Sequence, residues 1–281
     1  MKRIGVVGCG LMGAGIAEVC ARAGLDVVVA ESHPAAVESG SERLRTSLAR
    51  AQRKGRIPDA EAALRRIRVT DAIDELSDRE IVIEAIVEDE NEKVALFRQL
   101  DKILALPDAI IASNTSAIPI VKLASATTRP EQVLGVHFFN PVPVLPLVEL
   151  VPSLLTAGET TSRAHEFVRG ALGKRPILCK DRAGFVVNSL LIPFILAAVR
   201  MLESGFATRD DIDSGLVHGA AHPQGPLALA DLIGLDTTKA IADSLYEEFK
   251  EPLYASPPLL VRMVDAGLLG RKNGQGFYSY R

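Results

Sequence analysis

Short apolar runs alternate with stretches of helical period over the first two thirds of the chain. Ile4–Val7, Val27–Ala30, Ile67–Thr70, Ile81–Glu84 and Ile110–Ser113 are β-branched runs with little polar alternation, the pattern of strands buried on both faces of a parallel sheet. Between them, Gly13–Ala23 and Glu92–Leu104 place apolar residues at helical spacing, and the alternation predicts a doubly wound α/β sheet. One connection is long. From Ser32 to about Arg66 the chain is charged, Ala/Leu-rich and broken at Gly55–Pro58, which predicts an inserted helical hairpin over about residues 34–66. Beyond Ser113, Val133–Phe139, Leu147–Val151 and Ile177–Lys180 predict further strands, with a proline-rich NPVPVLP turn and a helix at Ser162–Leu172. From Gly184 onward the pattern is helical. The division expected is therefore 1–182, carrying the sheet, and 183–281, all-helical. Pro193, inside the apolar stretch Phe185–Leu202, predicts a kink or a helix start nearby.

Gly8-Cys9-Gly10-Leu11-Met12-Gly13 has GxGxxG spacing between a predicted strand and a predicted helix. The first glycine permits a tight turn, the second lets a pyrophosphate approach the backbone, and the third lets helix and strand pack closely. The helix N-terminus then offers free N–H groups to the phosphates. Glu31, at the end of the second strand, can accept from the hydroxyls of an adenosine ribose and would repel a 2′-phosphate. The expected ligand is therefore NAD rather than NADP. No Arg follows in Ser32-His33-Pro34, which agrees.

Composition narrows the remaining classes. Of 281 residues, 48% are hydrophobic and 24% charged, enough apolar material for full cores and unlike a disordered chain. A net charge of −3 gives nothing global to attract nucleic acid or an anionic membrane, and 5% aromatics without Trp argue against base-stacking platforms. The longest uncharged apolar run, Ser189–Val199, is too short to cross a bilayer. Cys9, Cys20 and Cys179 are odd in number and widely spaced, and MKRIGVVGCGLMG lacks a secretory-leader pattern; both predict a reduced, cytoplasmic protein. His218 and His222 have helical i,i+4 spacing but no accompanying glutamate, so no metal site is expected.

Three polar clusters follow the nucleotide half: Ser113–Ser116, His137–Pro141 and Leu147–Leu150. A His in an apolar strand is most often a satisfied core residue. A Glu flanked by Leu and Val is rarer, because burying an unpaired carboxylate is costly. His137 and Glu149 explain each other if the carboxylate holds the imidazole and raises its basicity. A separate cluster, Arg43, Arg45, Arg50, Arg53, Lys54 and Arg56, with Arg65, Arg66 and Arg68 behind it, concentrates positive charge in the hairpin. Alone, it reads as a solvated helical face.

GVVGCGLMGAGIA, EAIVEDENEKVALF, SNTSAIPI, GVHFFNPVPVLPLVEL, GFVVNSLL, HPQGPLALADLIGLD and LGRKNGQGFYSY together resemble the L-3-hydroxyacyl-CoA dehydrogenases, and most closely their short-chain bacterial branch. The likeness runs from residue 3 to 280. It implies a Rossmann-type N-terminal domain with the hairpin inserted, an all-helical C-terminal domain that forms a homodimer, and an acyl-CoA thioester substrate oxidised by NAD. Carried over by position, His137 is the general base and acid and Glu149 its orienting partner. Ser116 and Asn188 bind the thioester side and the 3-oxygen, and Asn140 supports them. Glu88 and Lys93 stand on the cofactor side with Gly8, Gly10, Leu11, Met12, Gly13 and Glu31, although a solvated helix start fits Lys93 nearly as well. Arg50 and Lys54 stand where basic contacts to CoA occur. Glu31 departs from the family's usual Asp. Two other readings stay open: an NAD dehydrogenase of a non-CoA hydroxy acid such as L-gulonate, and a non-catalytic crystallin-like protein.

Overall fold

The protein is described here by a computed structural model that covers residues 1–280. The chain forms two compact units, Met1–Asp181 and the segment from Arg182 onward. In the first, β1 (Arg3–Val7), α1 (Leu11–Arg22), β2 (Asp26–Ala30), α2 (Pro34–Arg53), α3 (Ala60–Leu64) and β3 (Ile67–Thr70) come first. They are followed by β4 (Ile81–Glu84), α4 (Glu90–Ile103), β5 (Ile110–Ser113), α5 (Ile120–Ala124), β6 (Val133–Phe138), β7 (Leu147–Pro152), α6 (Gly158–Glu166) and β8 (Arg175–Leu178). One eight-stranded sheet runs in the order β3-β2-β1-β4-β5-β6-β7-β8. Its strands are parallel through β6; β7 pairs antiparallel with β6, and β8 runs parallel to β7.

Ile4, Val6, Ile81, Ile83, Ile110 and Ala112 are fully buried and pack with Ile16, Ala17 and Cys20 of α1, so the β-branched runs become the middle of a three-layer core. Strand order reverses direction between β1 and β4, and ligands of such sheets bind outside the carboxyl ends of the strands at that point. The glycine loop, Glu31, Glu84, Ser113 and His137 all gather at that one edge, because each follows or ends a strand.

The inserted hairpin is present but lopsided, with a long arm in α2 and only a short α3. His33 caps α2 and Asp59 caps α3, each accepting a backbone N–H. Glu18 and Arg22 do form an i,i+4 pair, yet Glu18 is buried and also accepts from Ser47 on α2, which ties the hairpin to α1. Two elements differ in their bounds from the sequence expectation. The helix expected at Ser162–Leu172 starts earlier, at Gly158, and widens after Glu166 into a turn closed by Leu172 N–H on the Phe167 carbonyl. The last strand is Arg175–Leu178 rather than 177–180. It lies at the sheet edge with one side open, so Lys- and Arg-flanked sequence and Pro176 are tolerated there. Pro193 lies inside α7 (Val187–Glu203), which continues through it.

The second unit adds α8 (Arg209–Ser214), α9 (Pro226–Ile233), α10 (Leu235–Phe249) and α11 (Pro258–Asp265) around Ile192, Leu196, Leu227, Leu235, Leu245 and Leu260. Its C-terminal segment is fastened by two buried acids. Asp231 accepts from the N–H groups of Phe277 and Tyr278 and from the Tyr280 hydroxyl, and Asp213 accepts from the Tyr278 hydroxyl at 2.9 Å. The glycine-rich tail is thus a packing element. Among the described residues, no helix is long and apolar enough to cross a membrane.

Candidate active site

The glycine loop is built as its spacing requires. Gly8 takes φ +89, a left-handed conformation that side chains resist, and its N–H bonds to the Ala30 carbonyl at 2.8 Å. A Cβ on Gly13 would stand 1.8 Å from the Gly8 carbonyl oxygen, so only glycine lets α1 begin against the loop. Gly10 is exposed, and a Cβ there would meet nothing, which leaves the backbone bare toward solvent. Gly10 also caps α1 without a side chain, so the first-turn N–H groups beside exposed Leu11 and half-buried Met12 have no intrahelical acceptors. Bare backbone, an open helix N-terminus and an acid on the next strand fit a dinucleotide pyrophosphate and ribose. The acid has a feature that sequence alone did not reveal: Glu31 accepts from the Cys9 N–H within the loop, while the Cys9 carbonyl accepts from Arg43 of α2.

His137 and Glu149 are direct cross-strand neighbours in the β6–β7 ladder. Nδ1 of His137 lies 2.7 Å from Oε2 of Glu149, and Ser116 Oγ lies 3.0 Å from His137 Nε2. The imidazole is 4% exposed and the carboxylate is fully buried, so both need partners. With a carboxylate on Nδ1, the neutral ring keeps its proton there and leaves Nε2 with a lone pair. Asn114 Oδ1 accepts from Phe138 N–H at 2.8 Å, locking the loop after β5 to β6 and bringing Ser116 within reach. The turn after β6 is held from below by Lys174, whose Nζ donates to the carbonyls of Val142 and Leu145 at 2.7 and 2.6 Å. Burial pulls that ammonium below lysine's usual range, and Arg22 nearby adds to the effect.

Beside this pair lies a second ionic set. Lys93, in the first turn of α4, is 1% exposed and bonds to the fully buried Glu84 at the end of β4, so it is not a solvated helix start. Glu84 also accepts from Ser113 Oγ at 2.6 Å and from Ile86 N–H at 2.8 Å. Lys93 lies 3.1 Å from Glu88, and Glu88 in turn accepts from Thr115 Oγ1 and from the N–H groups of Ser116 and Ala117. One chain of contacts therefore leads from Glu84 through Lys93 and Glu88 to Ser116 and His137. Glu84 is not among the residues expected at the site, although an acid closing the apolar run Ile81-Val82-Ile83 is the same signal that marks Glu31.

The other candidates are more scattered. Asn140 is exposed on the turn after β6, preceding a cis peptide to Pro141, and its side chain bonds to no other described residue. Asn188 is buried in the first turn of α7, within the second unit. The basic cluster separates in space. Arg43 is on the Cys9 carbonyl, Arg45 pairs with Glu42, and Arg68 pairs with Glu75, whereas Arg50, Arg53, Lys54 and Arg56 are exposed around the end of α2 without an ion pair among the described residues. The three cysteine thiols are each pushed up to about 12, chiefly by burial; Glu31 adds to the shift at Cys9, and Glu149 then Asp181 at Cys179.

A dinucleotide sheet with an imidazole–carboxylate pair at its cofactor edge defines a nicotinamide-dependent oxidoreductase. Comparison with known proteins narrows the class. Residues 3–182 match the family model described as 3-hydroxyacyl-CoA dehydrogenase, NAD binding domain, and residues 184–280 match the C-terminal domain of the same family. The chain is 55% identical over its full length to a 3-hydroxybutyryl-CoA dehydrogenase of Mycobacterium tuberculosis, covering 99% of that protein. It is 41% identical to the mitochondrial hydroxyacyl-coenzyme A dehydrogenase of Sus scrofa, of which it covers 92%. Among solved structures, M. tuberculosis FadB2 superposes with a TM-score of 0.99 at 54% identity, covering all of this chain and 99% of that one. The (S)-3-hydroxybutyryl-CoA dehydrogenase PaaH1 of Ralstonia eutropha gives 0.94 at 45% identity, with the same coverage. The chain belongs to the 3-hydroxyacyl-CoA dehydrogenase family, and its first unit is that family's NAD-binding domain.

Proposed function

We propose that the protein interconverts (S)-3-hydroxyacyl-CoA and 3-oxoacyl-CoA with NAD, acting on short chains such as 3-hydroxybutyryl-CoA and acetoacetyl-CoA. The observation that carries the reading is the His137 imidazole, held by Glu149 on one nitrogen and presenting the other beside Ser116 at the cofactor edge of the sheet. Bound NAD would supply the hydride acceptor. The Gly8–Gly13 loop and the start of α1 would hold its pyrophosphate, Glu31 its adenosine ribose, and Glu88 and Lys93 would stand on its reactive side.

In the oxidative direction, Nε2 of His137 accepts the proton of the 3-hydroxyl as the hydride leaves C3. The imidazolium so formed is stabilised by Glu149, and the buried setting strengthens that attraction over its value in water. In the reductive direction, the same Nε2 returns the proton to the 3-oxygen. The Ser116 hydroxyl, already on Nε2, would hold the substrate oxygen, Asn188 would serve the thioester side, and Asn140 would support the site. Arg50 and Lys54, with Arg53 and Arg56 next to them, would meet the phosphates of CoA. The segment 183–281 would supply the homodimer contact. A cytoplasmic location accords with thiols kept reduced.

One pair of assays tests the reading. NADH oxidation with acetoacetyl-CoA is expected to proceed, and NAD reduction by L-gulonate is expected to be at background. The opposite result would move the protein to the non-CoA hydroxy-acid dehydrogenases, and inactivity in both would support a structural role.

A further inference from the structure

The glycine loop holds two opposite charges on one residue. Cys9 donates its N–H to Glu31, and its carbonyl accepts from the Arg43 guanidinium. Arg43 reaches this place because α2 lies directly on the loop at Gly40: a Cβ there would stand 2.6 Å from the Cys9 Cβ. One turn further along the helix, Arg43 extends over the peptide joining Cys9 to the open Gly10. It is exposed, and no acid pairs with it among the described residues, unlike Arg45 with Glu42 or Arg68 with Glu75. One bond to a carbonyl leaves most of its five donors unused.

Glu31 is correspondingly restrained. One carboxylate oxygen takes the Cys9 N–H, and the other lies 3.3 Å from the Ser32 N–H, so the acid is drawn down onto the backbone. A lone acid at this strand end excludes a 2′-phosphate by repulsion and by offering acceptors where donors are needed. Here the rim carries a cation as well, and a guanidinium is the side chain whose planar donors suit phosphate oxygens. Resting on the reading of this loop as the NAD site, we propose that Arg43 is a cofactor-specificity residue. Its guanidinium faces the adenosine ribose and admits a 2′-phosphorylated nicotinamide dinucleotide alongside the unphosphorylated one.

The test is steady-state reduction of acetoacetyl-CoA with NADH and with NADPH. The wild type is expected to turn over with both. Arg43→Ala is expected to lower the NADPH:NADH ratio of kcat/KM by about tenfold or more, the size of one charge-assisted contact, and Glu31→Gln to raise it by about as much. Arg43→Lys, which keeps the charge and loses the fork, is expected to fall between wild type and Arg43→Ala. A wild type inactive with NADPH would overturn the proposal. So would an equal loss with both cofactors in Arg43→Ala, which would assign the guanidinium to the pyrophosphate. Failure of the functional reading looks different: no turnover of acetoacetyl-CoA with either cofactor.

Discussion

Two buried pairs, one imidazole–carboxylate and one ammonium–carboxylate, sit at the same edge of the sheet, and they are made in different ways. His137 and Glu149 meet because antiparallel strands place them opposite each other, so the pair is a product of sheet register. Lys93 and Glu84 meet because a helix begins over the end of the strand before it, so that pair is a product of one βα turn. The first leaves a nitrogen turned toward Ser116 and can move a proton; the second is surrounded by Ser113, Ile86 and Glu88 and is built to stay put. On the function proposed above, a buried carboxylate thus serves chemistry in one place and geometry in the other. Ser116 touches both, since Glu88 grips its N–H and His137 its hydroxyl.

Mutation should separate the two roles. His137→Ala is expected to lower kcat by about three orders of magnitude or more while NADH binding, followed by its fluorescence, is retained. Near-normal turnover would take His137 out of the reaction. Glu149→Gln keeps the shape but removes the charge that stabilises imidazolium, and a loss of about a hundredfold in kcat is expected. Lys93→Met should act on stability first. It leaves Glu84 buried without its cation, at a cost of about 3–5 kcal/mol seen in chemical denaturation, with a weakened NADH KM in the folded fraction. If Lys93→Met proved as stable as wild type, the two pairs would not differ as argued. Arg50→Ala with Lys54→Ala should raise the KM for acyl-CoA by about three- to tenfold at low salt and less at high salt, with the NADH KM unmoved. The smallest effect concerns Cys179, whose thiol burial, Glu149 and Asp181 together push up to about 12. It should resist iodoacetamide at pH 7, and label somewhat faster in Glu149→Gln, as mass spectrometry would show.

The same contrast explains what could be read in advance. The parallel strands and the glycine loop were legible because each is a local pattern: β-branched runs, and glycines at GxGxxG spacing, of which Gly8 and Gly13 leave a Cβ no room. His137 and Glu149 stood out as polar residues in apolar strands, where burial without a partner is costly. Lys93 was ambiguous because a charged residue in a helix's first turn is ordinarily solvated; only the placement of Glu84 beneath it changes that. In sequence Arg43 is one of several arginines; only the packing of α2 on Cys9 sets it apart. The edge strand Arg175–Leu178 was misplaced by two residues because an edge needs no apolar run to pair. The spacing of Glu18 and Arg22 shows an i,i+4 pair, but not the burial of Glu18, since its second partner, Ser47, is remote in the chain.

The antiparallel β6–β7 pairing has one more consequence, for how such a protein can change over time. Side chains on a strand alternate faces, so a one-residue slip of the β6–β7 register would bring an apolar neighbour of Glu149 opposite His137. Changes in that turn are therefore constrained to those that keep the register, whereas exposed turns usually tolerate change freely. The far end of the α2–α3 hairpin has no such constraint. Lineages could lengthen, shorten or recharge it while the His137–Glu149 pair keeps its register.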